Sequence, residues 1–124
     1  MEKLYRGTLS PKRTDIGEQY DFTLEEFNIV SKDDQIITYE DTKYGHRMEY
    51  VTKYLEQEQE LDYVAYGTCR ITSLNKEFVI DWLNTKKKET IAAKQKELSY
   101  MIKRCTQNIE EIKAAKIIEK GVGL

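Results

Sequence analysis

The 124 residues suffice for one domain with a modest core and are too few for two independent ones. Hydrophobic residues make up 40% and charged residues 34%, and the net charge of −2 hides an uneven spread: 8 Lys/Arg against 15 Asp/Glu over residues 1–62, and 12 against 7 over residues 63–124. These values exclude a general DNA- or RNA-binding protein, and no apolar run approaches the roughly 20 residues that cross a bilayer.

The acidic front half reads as short strands divided by turn chemistry. Leu4 to Leu9 alternates around Tyr5, Gly7 and Leu9 and stops at Ser10-Pro11, because proline cannot continue a ladder; this predicts an edge strand. From Tyr20 to Val30 the apolar residues fall first at Tyr20, Phe22 and Leu24, then at Phe27 and Ile29. That slip of phase at Glu25-Glu26 predicts a bulge or a break between two strands, since period 2 otherwise keeps to one face. Ile36 to Tyr39 follows the polar turn Lys32-Asp33-Asp34, and Thr42-Lys43-Tyr44-Gly45 reads as a hairpin loop returning through His46 to Tyr50. Glu56 to Glu60 reads as an acidic loop or a helical turn, and Tyr63 to Ile71 as the last strand.

Ser73 or Asn75 can cap the helix that follows, which no proline interrupts. Phe78, Val79, Trp82 and Leu83 form an apolar patch at helical spacing, expected to pack on the sheet, and Lys86-Lys87-Lys88 marks where the helix leaves it. Beyond that run, Ile91, Leu98, Cys105 and Ile112 recur every seven residues, interleaved with Gln95, Ile102 and Ile109. These are the d and a positions of a short coiled-coil seam, and they predict an oligomer interface made by Ile91, Leu98, Ile102, Cys105, Ile109 and Ile112. The expected fold is therefore α+β. An antiparallel meander of about four or five short strands (1–72) packs on one long C-terminal helix (73–120), continuous or broken in two, which mediates oligomerisation; residues 121–124 form a flexible tail.

Chemistry-bearing motifs are absent: the sequence holds no GxxxxGK[ST], GxGxxG or HExxH. His46, the single histidine, stands in a hairpin arm and reads as a surface or turn residue, and adjacent acids such as Glu25-Glu26 and Asp33-Asp34 point to solubility. Cys69 and Cys105 lack a CxxC or CxxH partner, so neither a metal nor a disulfide is expected and both are taken as buried thiols of a cytosolic chain. The start, Met1 to Tyr5, has no apolar stretch like that of a signal peptide. A small hydrolase is disfavoured for want of a nucleophile, and no cofactor is expected. What remains is a set of aromatic and guanidinium side chains near turns: Tyr5 and Arg6, Tyr44 and Arg47, Tyr66 and Arg70, with Tyr100 and Arg104 on the helix. Rings stack on bases and guanidinium groups pair with phosphates, so this inventory is suited to a small anionic nucleotide, although Tyr and Arg are equally ordinary on strands and sheet rims.

The segments LYRGTL, QYDFTLEEFNIV, KYGHRMEYV and FVIDWLNTKKK, leading to a long Glu/Lys/Ile helix, resemble in outline a class of small phage and prophage proteins with an antiparallel meander and an oligomerising C-terminal helix. Within that class the resemblance is to the sponge proteins of the anti-Thoeris and anti-CBASS kind. It implies a non-enzymatic homo-oligomer in the host cytosol that binds and sequesters a cyclic nucleotide immune signal. The alternative from a different class is a phage adaptor or host-takeover protein acting through helix-mediated protein–protein interaction.

Overall fold

The computed structural model describes residues 2–61 and 66–121. In chain order the elements are β1 (Lys3–Thr14), β2 (Gly17–Lys32), β3 (Ile36–Glu40), β4 (Arg47–Val51), one 3-10 turn (Thr52–Tyr54), β5 (Gln59–Glu60), β6 (Cys69–Ser73) and α1 (Lys76–Ala114). All strand pairs are antiparallel, in the order β4-β3-β2-β1-β6-β5. The α+β class stands as expected. The detail differs: the described residues form six strands, and β1 and β2 are long, at 12 and 16 residues. Residues 63–65 of the expected last strand lie outside the described residues, as do residues 122–124 of the expected tail.

The edge-strand reading of Leu4–Leu9 is overturned. β1 pairs with β2 along its whole length, from Lys3↔Asn28 to Thr14↔Gly17, and with β6 from Tyr5↔Ser73 to Leu9↔Cys69. Pro11 does not stop the strand because it lies opposite Tyr20, past the last β1–β6 pair, where its missing N–H forfeits no bond to β6. The hairpin then closes through Asp15-Ile16, with Gly17 at φ 131° and the Thr14 hydroxyl donating to the Gly17 carbonyl at 2.8 Å.

The slip at Glu25-Glu26 is also not a break. β1 and β2 keep one register straight through it, and the bulge sits further on, between Ile29 and Ser31 in the β2–β3 pairing. The strand instead changes which of its faces is buried. Phe22 and Leu24, opposite Leu9 and Gly7, pack in a cluster with Ile71, Val79 and Leu83; Phe27, opposite Leu4, belongs to a second cluster with Ile37, Tyr39 and Tyr50. Successive side chains alternate between faces, so one strand serves two cores by shifting its apolar residues by one.

The helix begins where the sequence allows it. Asn75 Oδ1 accepts the Phe78 N–H at 3.3 Å, while Ser73 Oγ accepts the Asn75 N–H at 2.9 Å, so the two candidate caps act in series. Val79 and Leu83, with Phe78 and Trp82 beside them, pack against Ile71, Tyr5, Phe22 and Leu24, as expected of the apolar patch. Gly7 permits this approach, since a Cβ there would lie 2.8 Å from Val79 Cγ1. The helix is one continuous element of 39 residues and ends at Ala114, short of the expected residue 120. Ile117 and Ile118 beyond it are almost wholly exposed, so no packing of theirs holds a further turn. The chain falls into two compact units: 1–88, holding the sheet and the first helical turns, and 89–124.

Candidate functional site

Among the described residues of the first unit, the Tyr and Arg side chains singled out from the sequence are spread over different faces and clefts. Tyr5 and Arg6 point to opposite faces of β1. Tyr5 packs with the cluster under the helix. Arg6 is held by the other core: Nη2 donates to Tyr39 Oη at 3.0 Å, Nε to Thr72 Oγ1 at 3.5 Å, and Cζ lies 5.1 Å from the Phe27 ring centroid and 5.6 Å from that of Tyr39. It is a packed side chain that completes the aromatic cluster. Arg70 shares this face, because Thr8↔Arg70 and Arg6↔Thr72 are successive same-side pairs, and its buried Nε finds no hydrogen-bond acceptor among the described residues.

Tyr44 and Arg47 are exposed at the β3–β4 hairpin. Gly45, at φ 67°, supplies the left-handed residue expected of that loop, and Asp41 organises it: Oδ1 accepts the N–H groups of Lys43, Tyr44 and Gly45. Those bonds, chiefly that from Tyr44, hold the Asp41 carboxyl below the usual carboxylate range against the opposing effect of burial. His46 is exposed, its ring stacked 5.7 Å from that of Tyr44, which agrees with its reading as a turn residue.

Tyr66 is 94% exposed, and neither of the two clefts it borders among the described residues is lined by Arg70. It borders an open cleft of about 450 Å³ with Pro11, Lys12, Arg13 and Glu18. Sequence reasoning missed Lys12 and Arg13, because only the continuation of β1 past Pro11 carries them toward residue 66. Tyr66 also borders a smaller cleft, about 300 Å³, with Glu58, Glu60, Gly67, Cys69 and Lys86. There the Lys86 ammonium lies 2.6 Å from Glu58 Oε1. Burial works to raise the Glu58 carboxyl, but the bond and charge of Lys86 bring it below its ordinary range. The Cys69 thiol is pushed up to about 11 by burial and by the neighbouring Glu58 carboxylate, so it stays protonated and is a poor nucleophile at neutral pH.

No family model, curated protein or solved structure matches the chain. Among the described residues no helix is long and apolar enough to cross a membrane, and no group of three or more His, Cys, Asp or Glu is placed to hold a metal ion.

In the second unit Tyr100 and Arg104 lie one helical turn apart and are exposed. Cys105 is exposed too, which corrects the expectation of a buried thiol. The seam side chains are open in the chain: Ile91, Leu98, Ile102 and Ile109 are each more than half exposed, and Ile112 is 73% exposed. Scattered exposed aliphatics are ordinary on proteins, but a stripe of five on one repeat is not.

Proposed function

We propose that this protein is a non-enzymatic interaction protein whose helix, over residues 91–112, pairs with a helix of another chain. The carrying observation is the exposure of Ile91, Leu98, Ile102, Ile109 and Ile112 at coiled-coil spacing. Burying the exposed half of an Ile or Leu side chain contributes on the order of 1 kcal/mol, so five per helix supply roughly 5 kcal/mol from each strand toward association. Sedimentation or light scattering tests this reading: the wild type has a mass that is a multiple of 14.6 kDa, and Ile102→Glu with Ile109→Glu returns it to one copy. An oligomer that survives both changes would overturn it.

A second reading, sequestration of a small anionic nucleotide, is favoured by the cleft that joins Tyr66 to Lys12 and Arg13. An exposed ring offers a stacking surface and Arg13 suits a phosphate, while Lys12 already lies 2.6 Å from Asp21 Oδ2 and would have to turn from it to join. Melting curves against cyclic nucleotides test it. A raised Tm that disappears in Tyr66→Ala and Arg13→Ala, with the nucleotide recovered chemically unchanged, supports sequestration, and a flat response to every nucleotide refutes it.

A further inference from the structure

We infer that the helix pairs with the same helix of a second copy, parallel and in register, so that Cys105 faces Cys105 of the partner copy; this rests on the helix-pairing reading above. Two observations carry the orientation and a third the fit of the covered face. First, the seam has β-branched Ile102 and Ile109 at a and, at d, Leu98 and Cys105 between the outer Ile91 and Ile112, with a single polar side chain, Gln95, at an a position within it; only Ile102, Ile109 and Leu98 follow the arrangement that favours two parallel strands. In a parallel pair the two Gln95 amides meet and each has both a donor and an acceptor to offer. In an antiparallel pair a positions face d positions, and each Gln95 amide is set against an aliphatic or thiol side chain with no such partner.

Second, the flanks accept this orientation without repulsion. The facing g and e positions join Lys94 to Ser99, Met101 to Thr106 and Asn108 to Lys113 across the pair, so no like charges meet at these flanks, the nearest like pair being Lys88 at the a position just before the seam, and the Asn108 side-chain carbonyl can accept from the Lys113 ammonium. The remaining charges, Lys96, Glu97, Lys103, Arg104, Glu110 and Glu111, fall at b and c, away from the seam. Third, the hydroxyls that border the seam already have acceptors in their own helix. Ser99 Oγ donates to the Gln95 carbonyl at 3.0 Å and Thr106 Oγ1 to the Ile102 carbonyl at 2.8 Å, so covering them strands no donor.

The seam is short, about 32 Å of helix at roughly 1.5 Å per residue, which makes the pairing concentration-dependent. Facing d-position Cα atoms come to roughly 5–6 Å when helix axes lie about 10 Å apart, within disulfide range. The test is therefore oxidation of the intact chain by stoichiometric diamide, which takes two electrons and two protons from two thiols as their Sγ atoms join. Mass is recorded over a hundredfold range of concentration, and the non-reduced digest is mapped by mass spectrometry.

A two-copy mass with rapid, near-complete Cys105–Cys105 linkage is the expected result. In a Cys105→Ser chain, a cysteine placed by Gln107→Cys, on the outer f position, should link at least tenfold more slowly. A two-copy mass without Cys105 linkage, or equal linkage at position 107, overturns the parallel register and leaves helix pairing standing. A mass of three or more copies overturns the two-stranded pair. A single-copy mass at every concentration overturns both readings.

Discussion

Replacing Gly7 by alanine is the most direct probe of how the helix lies on the sheet. The added Cβ would stand 2.8 Å from Val79 Cγ1, 3.2 Å from Leu83 Cγ and 3.3 Å from Trp82 Cε3. The tightest of these contacts is to a fully buried side chain on an element that cannot shift without disturbing its neighbours. Overpacking of this kind costs about 1–3 kcal/mol, whereas removing a strand glycine returns about 0.5–1 kcal/mol, so Gly7→Ala is expected to destabilise by about 1–2 kcal/mol. Urea unfolding followed by Trp82 fluorescence reads this as a lower midpoint at unchanged slope. Val79→Ala removes the methyl group that the new Cβ would strike. The double variant should therefore be less destabilised than the sum of the two single changes by about 1 kcal/mol. Neutral or stabilising behaviour of Gly7→Ala, or strict additivity in the double variant, would refute the close approach.

Asn75→Ala removes the acceptor for the Phe78 N–H and should cost about 1 kcal/mol in the same urea assay, with Asn75→Asp close to wild type. Glu58 has a folded-state pKa below its ordinary value, so the stability it adds is present above the unfolded carboxylate pKa and fades as pH falls through the folded one. Unfolding midpoints measured at descending pH should fall less steeply in Glu58→Gln than in the wild type. In the chain carrying Ile102→Glu and Ile109→Glu, where the seam is open, iodoacetamide at mildly alkaline pH should alkylate exposed Cys105 at least tenfold faster than Cys69, whose thiol is buried and pushed up to about 11, as peptide mass spectrometry will register.

The features legible in the sequence were those fixed by neighbours in the chain. The α+β order, the Gly45 loop, the Asn75 cap and the patch from Phe78 to Leu83 each depend on a few consecutive residues, and each is found where the spacing put it. What failed depends on partners far along the chain. Pro11 reads as a stop unless the extent of β6 is known, and the Glu25-Glu26 slip reads as a bulge unless both faces of the sheet are known to be covered. The Tyr and Arg pairs failed for the same reason. Sequence adjacency on a strand sends Tyr5 and Arg6 to opposite cores, and register brings Arg70 to the face of Arg6 while Tyr66 opens on a cleft with Lys12 and Arg13.

The commitment of Arg6 narrows where binding can occur. A guanidinium set among Phe27, Tyr39 and Thr72 can turn to a ligand only by giving up those contacts, and the aromatic cluster would lose its polar edge with it. Both buried clusters of the sheet unit are composed of residues between Leu4 and Leu83, so its two faces find their apolar complements within that span. In the second unit, Ile91, Leu98, Ile102, Ile109 and Ile112 are exposed. A sequence that keeps large aliphatics at the a and d positions without using them in its own core incurs their solvation cost in the isolated chain. Pairing between chains, as proposed, would remove that cost while leaving the charged side chains at b and c in water.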